Sequence, residues 1–247
     1  RITPDGIIDT IAGNGTRGNL GDGGPALEAA LYGPMSIAMN SKGESFFLNQ
    51  SGRTSIIRKI DAKGIIHHFL GTTDEKFLKD TGYTQSLGQD SPFVQFSDMA
   101  FDKEDNLHVP DRVNNRLYKI DSKAHTTIIA GTGDADYYGD GGPAKKMALH
   151  DPVAVTVDND GNIYLSDATN NRIRKIDGKG IASTYAGSGD MKDSGDGGPA
   201  KDAGLRGMDD IAFSPSGEMY IVSAFSHSIR KIGKDGKIVK VAGRGTE

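Results

Sequence analysis

Apolar and polar residues alternate along most of the chain in runs of five or six, and each run ends in a turn rich in Gly, Asn or Asp. Residues 152–187 show it most clearly. Val153, Val155 and Val157 share one face at period two, and Asn159-Asp160-Gly161 reverses the chain. Ile163, Tyr164 and Leu165 begin a second strand, 167–171 is polar turn, 173–176 is a third strand and 182–186 a fourth. Four antiparallel strands in about forty residues match the size of one propeller blade.

The pattern repeats. SIAMN, DMAFD, AVTVD and DIAFS end first strands at Asn40, Asp102, Asp158 and Ser214, in steps of 62, 56 and 56 residues. Second strands read SFFLN, LHVPD, IYLSD and MYIVS, and third strands IIRKI, RLYKI, RIRKI and SIRKI. Fourth strands read IIHHFLG, TTIIAG, ASTYAG and IVKVAG. The hexapeptide GDGGPA begins at Gly21, Gly139 and Gly195; the longer step carries a polar insertion, residues 71–90, in its place. Blades are therefore expected at 34–71, 96–131, 152–187 and 208–243. Residues 1–12 align with the end of a third strand and a fourth strand, which predicts a partial N-terminal blade.

The expected architecture is all-β, a single β-propeller domain over 1–247. It has four complete four-stranded antiparallel blades plus the N-terminal half-blade, a fragment of a longer chain and part of a five- or six-bladed ring. An open ring would expose strand edges, so self-association is expected.

Composition narrows the function. Charged residues make up 25% and hydrophobic ones 36%, as in globular proteins, and the 34 glycines fall at turns. No apolar run approaches the roughly 18–20 residues needed to span a bilayer. A net charge of −4 gives no support to phosphate coating, and the absence of cysteine excludes disulfides, Cys-ligated zinc and thiol nucleophiles.

The order of apolar strand, Asp, polar-Gly turn, IY-like strand, Asp, Asn-containing turn and RIRKI resembles the NHL-repeat family of β-propellers. It is nearly undiluted at 152–176, and present with substitutions at 34–60, 96–120 and 208–232. Asn49 and Ser223 stand where Asp111 and Asp167 stand in the other blades, and Pro110 lies inside a second strand, where it removes a ladder donor. The GDGGPA connectors resemble those of bacterial and extracellular members. The resemblance implies a protein-interaction scaffold with a protein or extracellular ligand as partner, in an extracellular or periplasmic setting. It also admits an axial metal site, as in the metal-dependent lactonases and an amidating lyase of similar fold, and an RNA-binding face.

Candidate chemistry is sparse. Asp111 and Asp167, at the ends of second strands, suit a role in the following turn or a pairing with Arg116 or Arg172. Asp22, Asp140 and Asp196 of GDGGPA read as turn residues. Calcium there would draw on few carboxylates, with Asp136 and Asp193 upstream in two copies. The positions before the innermost strands would line a central mouth: Tyr32-Gly33, Val94-Gln95, His150-Asp151 and Arg206-Gly207. Asp98 and Asp210 lie just inside. If Asp98, Asp151, Asp210 and His150 converge, with Arg206 nearby, they would hold Ca²⁺ or another divalent metal or polarise a substrate; otherwise they cap strands. No catalytic signature such as G-x-S-x-G, HExxH or a Walker loop is present. The third-strand bases Arg58, Lys59, Arg116, Lys119, Arg172, Arg174, Lys175, Arg230 and Lys231 read as solvated faces paired with Asp, and nucleic acid is not the expected partner.

Overall fold

Each alternating run forms a strand, and four consecutive strands form each sheet. The computed structural model describes residues 1–51, 54–71 and 96–244. Blade one contains β1 (Pro34–Met39), β2 (Ser45–Ser51), β3 (Thr54–Ile60) and β4 (Ile66–Leu70). Blade two contains β5 (Ala100–Phe101), β6 (Leu107–Asp111), β7 (Arg116–Ile120) and β8 (Thr126–Ala130). Blade three contains β9 (Pro152–Val157), β10 (Ile163–Asp167), β11 (Arg172–Ile176) and β12 (Ala182–Ala186). Blade four contains β13 (Met208–Phe213), β14 (Met219–Ser223), β15 (Ser228–Ile232) and β16 (Ile238–Ala242). Strand order follows chain order in every sheet, all neighbours antiparallel. These are four-stranded blades of β-propeller type.

The chain divides into two compact units, residues 1–95 and 96–247. Unit 1 holds blade one and the N-terminal segment; unit 2 holds blades two to four. The polar insertion and Val94-Gln95 lie outside the described residues. Residues 1–12 contain a single bridge, Ile2 to Ile8, and no strand. Blade two begins with a first strand of only two residues, although Phe96 bridges Asp111 at the place where a longer strand would start. Pro110 is tolerated inside β6, opposite Leu117.

In unit 2 the apolar side chains of successive blades make shared cores. One joins Leu117 and Ala130 of blade two to Val155, Ile163 and Leu165 of blade three. Another joins Tyr164, Ile173 and Ala186 of blade three to Met208, Ile211 and Ile221 of blade four. Each fully buried aliphatic side chain contributes on the order of 1.5–3 kcal/mol, so these seams hold the blades side by side.

The third-strand bases depart from expectation. Arg58, Arg174 and Arg230 are not solvated; they rank among the largest fully buried side chains. Each reaches the GDGGPA loop that precedes its own blade. Arg58 donates to Asp22 Oδ1 at 3.0–3.1 Å, Arg174 to Asp140 Oδ1 at 2.8 Å, and Arg230 to Asp196 Oδ1 at 3.0 Å. The guanidiniums also bond loop carbonyls: Ala30 and Leu20, Ala148 and Tyr138, Gly204 and Ser194. A buried cation needs a paired charge and hydrogen bonds, and the connector supplies each arginine with a carboxylate and carbonyls, although Arg174 Nε is left without a partner. The loop also bonds the start of the fourth strand of that blade, Gly141 N–H to Ala182 O and Ala182 N–H to Gly142 O in blade three. The aspartates assigned to turns thus also clamp each connector to the blade it introduces.

Candidate functional site

At one end of unit 2 the starts of first strands meet the turns between second and third strands. Those turns are built by Asp and Asn. Asp111 Oδ1 accepts from Val113 N–H and Asn114 N–H, and its Oδ2 accepts from Asn114 Nδ2 at 2.6 Å. Asn115 and Asn171 then take left-handed backbone angles, φ 51° and 52°, which Asn tolerates best among residues with a side chain. Asp167 accepts from His150 N–H at 2.7 Å, from Asn170 Nδ2 at 2.9 Å and from Arg174 Nη1 at 3.2 Å. The arginine paired with Asp167 is therefore Arg174; Arg172 bonds the carbonyls of Asn170 and Ser188 and stacks on Tyr137. Burial pushes both Asp111 and Asp167 above the ordinary carboxylate range, against the pull of these bonds.

Asp151 is the distinctive residue of this end. Its backbone is left-handed, φ 56°, at a register where blades one and four have Gly33 and Gly207 with φ 51° and 59°. Its carboxylate takes a two-pronged ion pair from Arg112, Nε to Oδ1 at 2.6 Å and Nη2 to Oδ2 at 2.9 Å, while its N–H donates to Asn115 Oδ1. That guanidinium crosses from the turn of blade two to the first strand of blade three. The bond from Asp151, and charge from Asp151 and Asp209, raise the Arg112 pKa above its ordinary value.

The other predicted mouth residues are distributed around this pair. Asp98 Oδ2 accepts from Val155 N–H at 2.9 Å, tying blade two to blade three. Asp210 has a raised pKa, first through burial and then through the nearby charges of Asp98 and Asp209. Asp209, which sequence reasoning passed over, caps the turn at Ala224 N–H at 2.6 Å. Its place one residue before Asp210 was the signal that could have found it. Arg206 lies over the exposed ring of Phe225, its guanidinium carbon 5.9 Å from the ring centre, and Ser223 donates to the Arg206 carbonyl. His150 enters through its backbone N–H to Asp167.

Among the described residues, no three His, Asp or Glu side chains are grouped as metal ligands. Asp98 and Asp210 are near enough to feel each other's charge, whereas Asp151 is committed to Arg112. In the connector before blade four, Asp193 pairs with Arg230 at 3.0 Å. What the end of unit 2 offers chemically is a fixed display: one neutralised Arg–Asp pair, an acidic group of Asp98, Asp209 and Asp210, and a cation–aromatic rim at Arg206 and Phe225.

The family model described as "Teneurin NHL domain" matches residues 8–133 and 104–194. Teneurin-3 of Mus musculus is 29% identical over 254 residues, which is 92% of this chain and 9% of that protein, so the chain spans under a tenth of the relative's length. A solved protein of unknown function from Bacteroides thetaiotaomicron is similar in fold, with a TM-score of 0.63 at 21% identity over 80% of this chain and 46% of its own. Virginiamycin B lyase from Staphylococcus aureus is similar with a TM-score of 0.50 at 16% identity over 86% of this chain and 56% of its own. At such identities the structures speak for the fold alone.

Proposed function

We propose an interaction role, from a premise that is plain: the chain belongs to the teneurin NHL-domain family. In this reading the blades are a rigid scaffold, part of a larger ring of five or six blades, working outside the cytoplasm. The strand-start end of unit 2 is its binding face. The observation that carries it is the structural use of the charged groups at that end. Arg112 and Asp151 neutralise each other, and Asp98 and Asp209 cap backbone N–H groups, so these four groups shape a surface. The excess of carboxylates around Asp98, Asp209 and Asp210 favours a ligand carrying a cationic group, and the exposed Phe225 favours a protein segment.

The burial of Arg58, Arg116, Arg174 and Arg230 removes four of the nine third-strand bases from any surface that could meet phosphate, which weighs against RNA. The lyase and lactonase alternative needs a metal held by Asp98, Asp151, Asp210 and His150. The pairing of Asp151 with Arg112 argues against that set.

Calorimetric titration with an Arg-rich, a Glu-rich and a neutral decapeptide tests the reading, using the parent and an Asp209→Asn, Asp210→Asn variant. Salt-sensitive binding of the Arg-rich peptide, lost in the variant, is expected. Stoichiometric metal in elemental analysis, lost in an Asp98→Ala, Asp151→Ala variant, would replace this reading with the metal-site alternative.

A further inference from the structure

We propose that Asn14-Gly15 is a self-modifying site, at which the Gly15 backbone nitrogen attacks the Asn14 side-chain amide with the Thr16 hydroxyl assisting. Water then opens the resulting ring to leave aspartate or isoaspartate. The site lies in the connector before blade one and stands apart from the binding face of unit 2.

Asn14 is the one asparagine of the chain that glycine follows. Glycine leaves the attacking nitrogen uncrowded, and a Cβ at Gly15 would itself meet nothing within 4 Å. Asn14, Gly15 and Thr16 are all exposed, so solvent base reaches the nitrogen and water reaches the ring.

The turn holds the amide in a form suited to attack. Asn14 Oδ1 accepts two hydrogen bonds, from Thr16 N–H at 2.9 Å and from the Thr16 hydroxyl at 2.6 Å. Attack at Cγ moves negative charge onto that oxygen, so both donors stabilise the tetrahedral intermediate as an oxyanion hole does. The leaving nitrogen, Nδ2, is held by donation to the Glu28 carbonyl at 2.9 Å. The bond that forms is Gly15 N to Asn14 Cγ, and the bond that breaks is Cγ to Nδ2. Solvent base takes the Gly15 amide proton, and solvent returns a proton to the departing ammonia. Water then adds to one or other ring carbonyl, giving aspartate through one and isoaspartate through the other.

The sibling connectors show that the turn does not require an amide. Asn14 N–H donates to Ala29 O as Thr132 N–H does to Met147 O and Ser188 N–H to Ala203 O. Thr132 and Ser188 follow complete blades, and their hydroxyls cap the N–H two residues on, at 3.3 Å, as Asn14 Oδ1 does. Only the connector of blade one couples that cap to reactive chemistry. The consequence is local. Asn14 N–H to Ala29 O and Leu31 N–H to Thr16 O flank the site. Aspartate keeps their spacing, whereas isoaspartate adds a methylene to the main chain between them, so both bonds cannot keep their geometry. Modification therefore loosens the connector whose Leu20 and Ala30 carbonyls hold Arg58.

The test is incubation at mildly alkaline pH, in buffer and in denaturing urea, with peptide mapping for aspartate and isoaspartate at residue 14. In buffer the parent should convert about threefold or more faster than Thr16→Val, a smaller effect than at a buried oxyanion hole because water competes at this exposed turn. In urea, where the turn is lost, the two should convert equally. Thr16→Ser keeps the hydroxyl and should restore the parent rate, and Gly15→Ala should slow conversion in both solvents. An Asn14 that stays an amide in buffer while converting in urea overturns the proposal. So does equal conversion of the parent and Thr16→Val in buffer.

Discussion

Blades two and three belong to one unit and follow one repeat, yet they solve the same position differently. At the centre of the third strand blade three buries Arg174, held by Asp140 of its connector and by Asp167. Blade two buries Tyr118 there, and the segment before it carries no GDGGPA. Arginine and connector occur together in blades one, three and four and are both missing from blade two. The physical reason is the cost of a lone buried charge. A guanidinium without its carboxylate and carbonyl partners is strongly destabilising, whereas a phenol needs one hydrogen bond at most. Loss of the connector therefore removes the licence for the arginine.

Moving the cation is the strongest way to break that comparison. Tyr118→Arg should destabilise unit 2 by about 3–5 kcal/mol, as should Arg174→Tyr, which strands the buried Asp167 carboxylate; urea unfolding of both variants measures it. Next comes the connector backbone. Gly139 has φ 97°, and a Cβ there would meet the backbone of Met147, so Gly139→Ala should cost on the order of 1–3 kcal/mol in the same assay. Asp140→Asn should cost less, about 0.5–1 kcal/mol, because that carboxylate is 39% exposed and water screens the pair.

The smallest effect is one of pH. In blade two His108 Nε2 lies 2.9 Å from Asp102, where blade three has the Tyr164 hydroxyl on Asp158 at 3.0 Å. Burial works to raise the Asp102 carboxyl, but bonds from His108 and Asn106 outweigh it and hold it at about 2. A depressed carboxyl contributes stability that is complete above its unfolded value of about 4 and is lost as pH falls from there toward 2. His108→Tyr keeps a bond and removes the charge, so the acid-side loss should shrink. Urea midpoints at several pH values between 2 and 5 would show it.

The four blades were legible because two local signals coincide, period-two alternation within strands and Gly, Asn or Asp turns between them. The registers of β10 with β9 and β11 follow from that pattern. Blade two was less legible, since its first strand keeps only Ala100 and Phe101 in the ladder. The buried arginines were not legible at all. Alternation places Arg174 on the face opposite Ile173, but both faces of a packed blade are covered, and a sequence does not state what covers them. Nor did it reveal that Asp151 would be spent on Arg112, because that partner lies 39 residues away on another blade.

The sequence by itself determined the repeat, the strand order and the turn chemistry, since these depend on interactions within a few residues and on a hairpin's reach. Tertiary structure alone decided which charges were buried and which carboxylates paired. Those outcomes depend on the distance and desolvation of groups brought together from separate blades, quantities that local pattern does not contain.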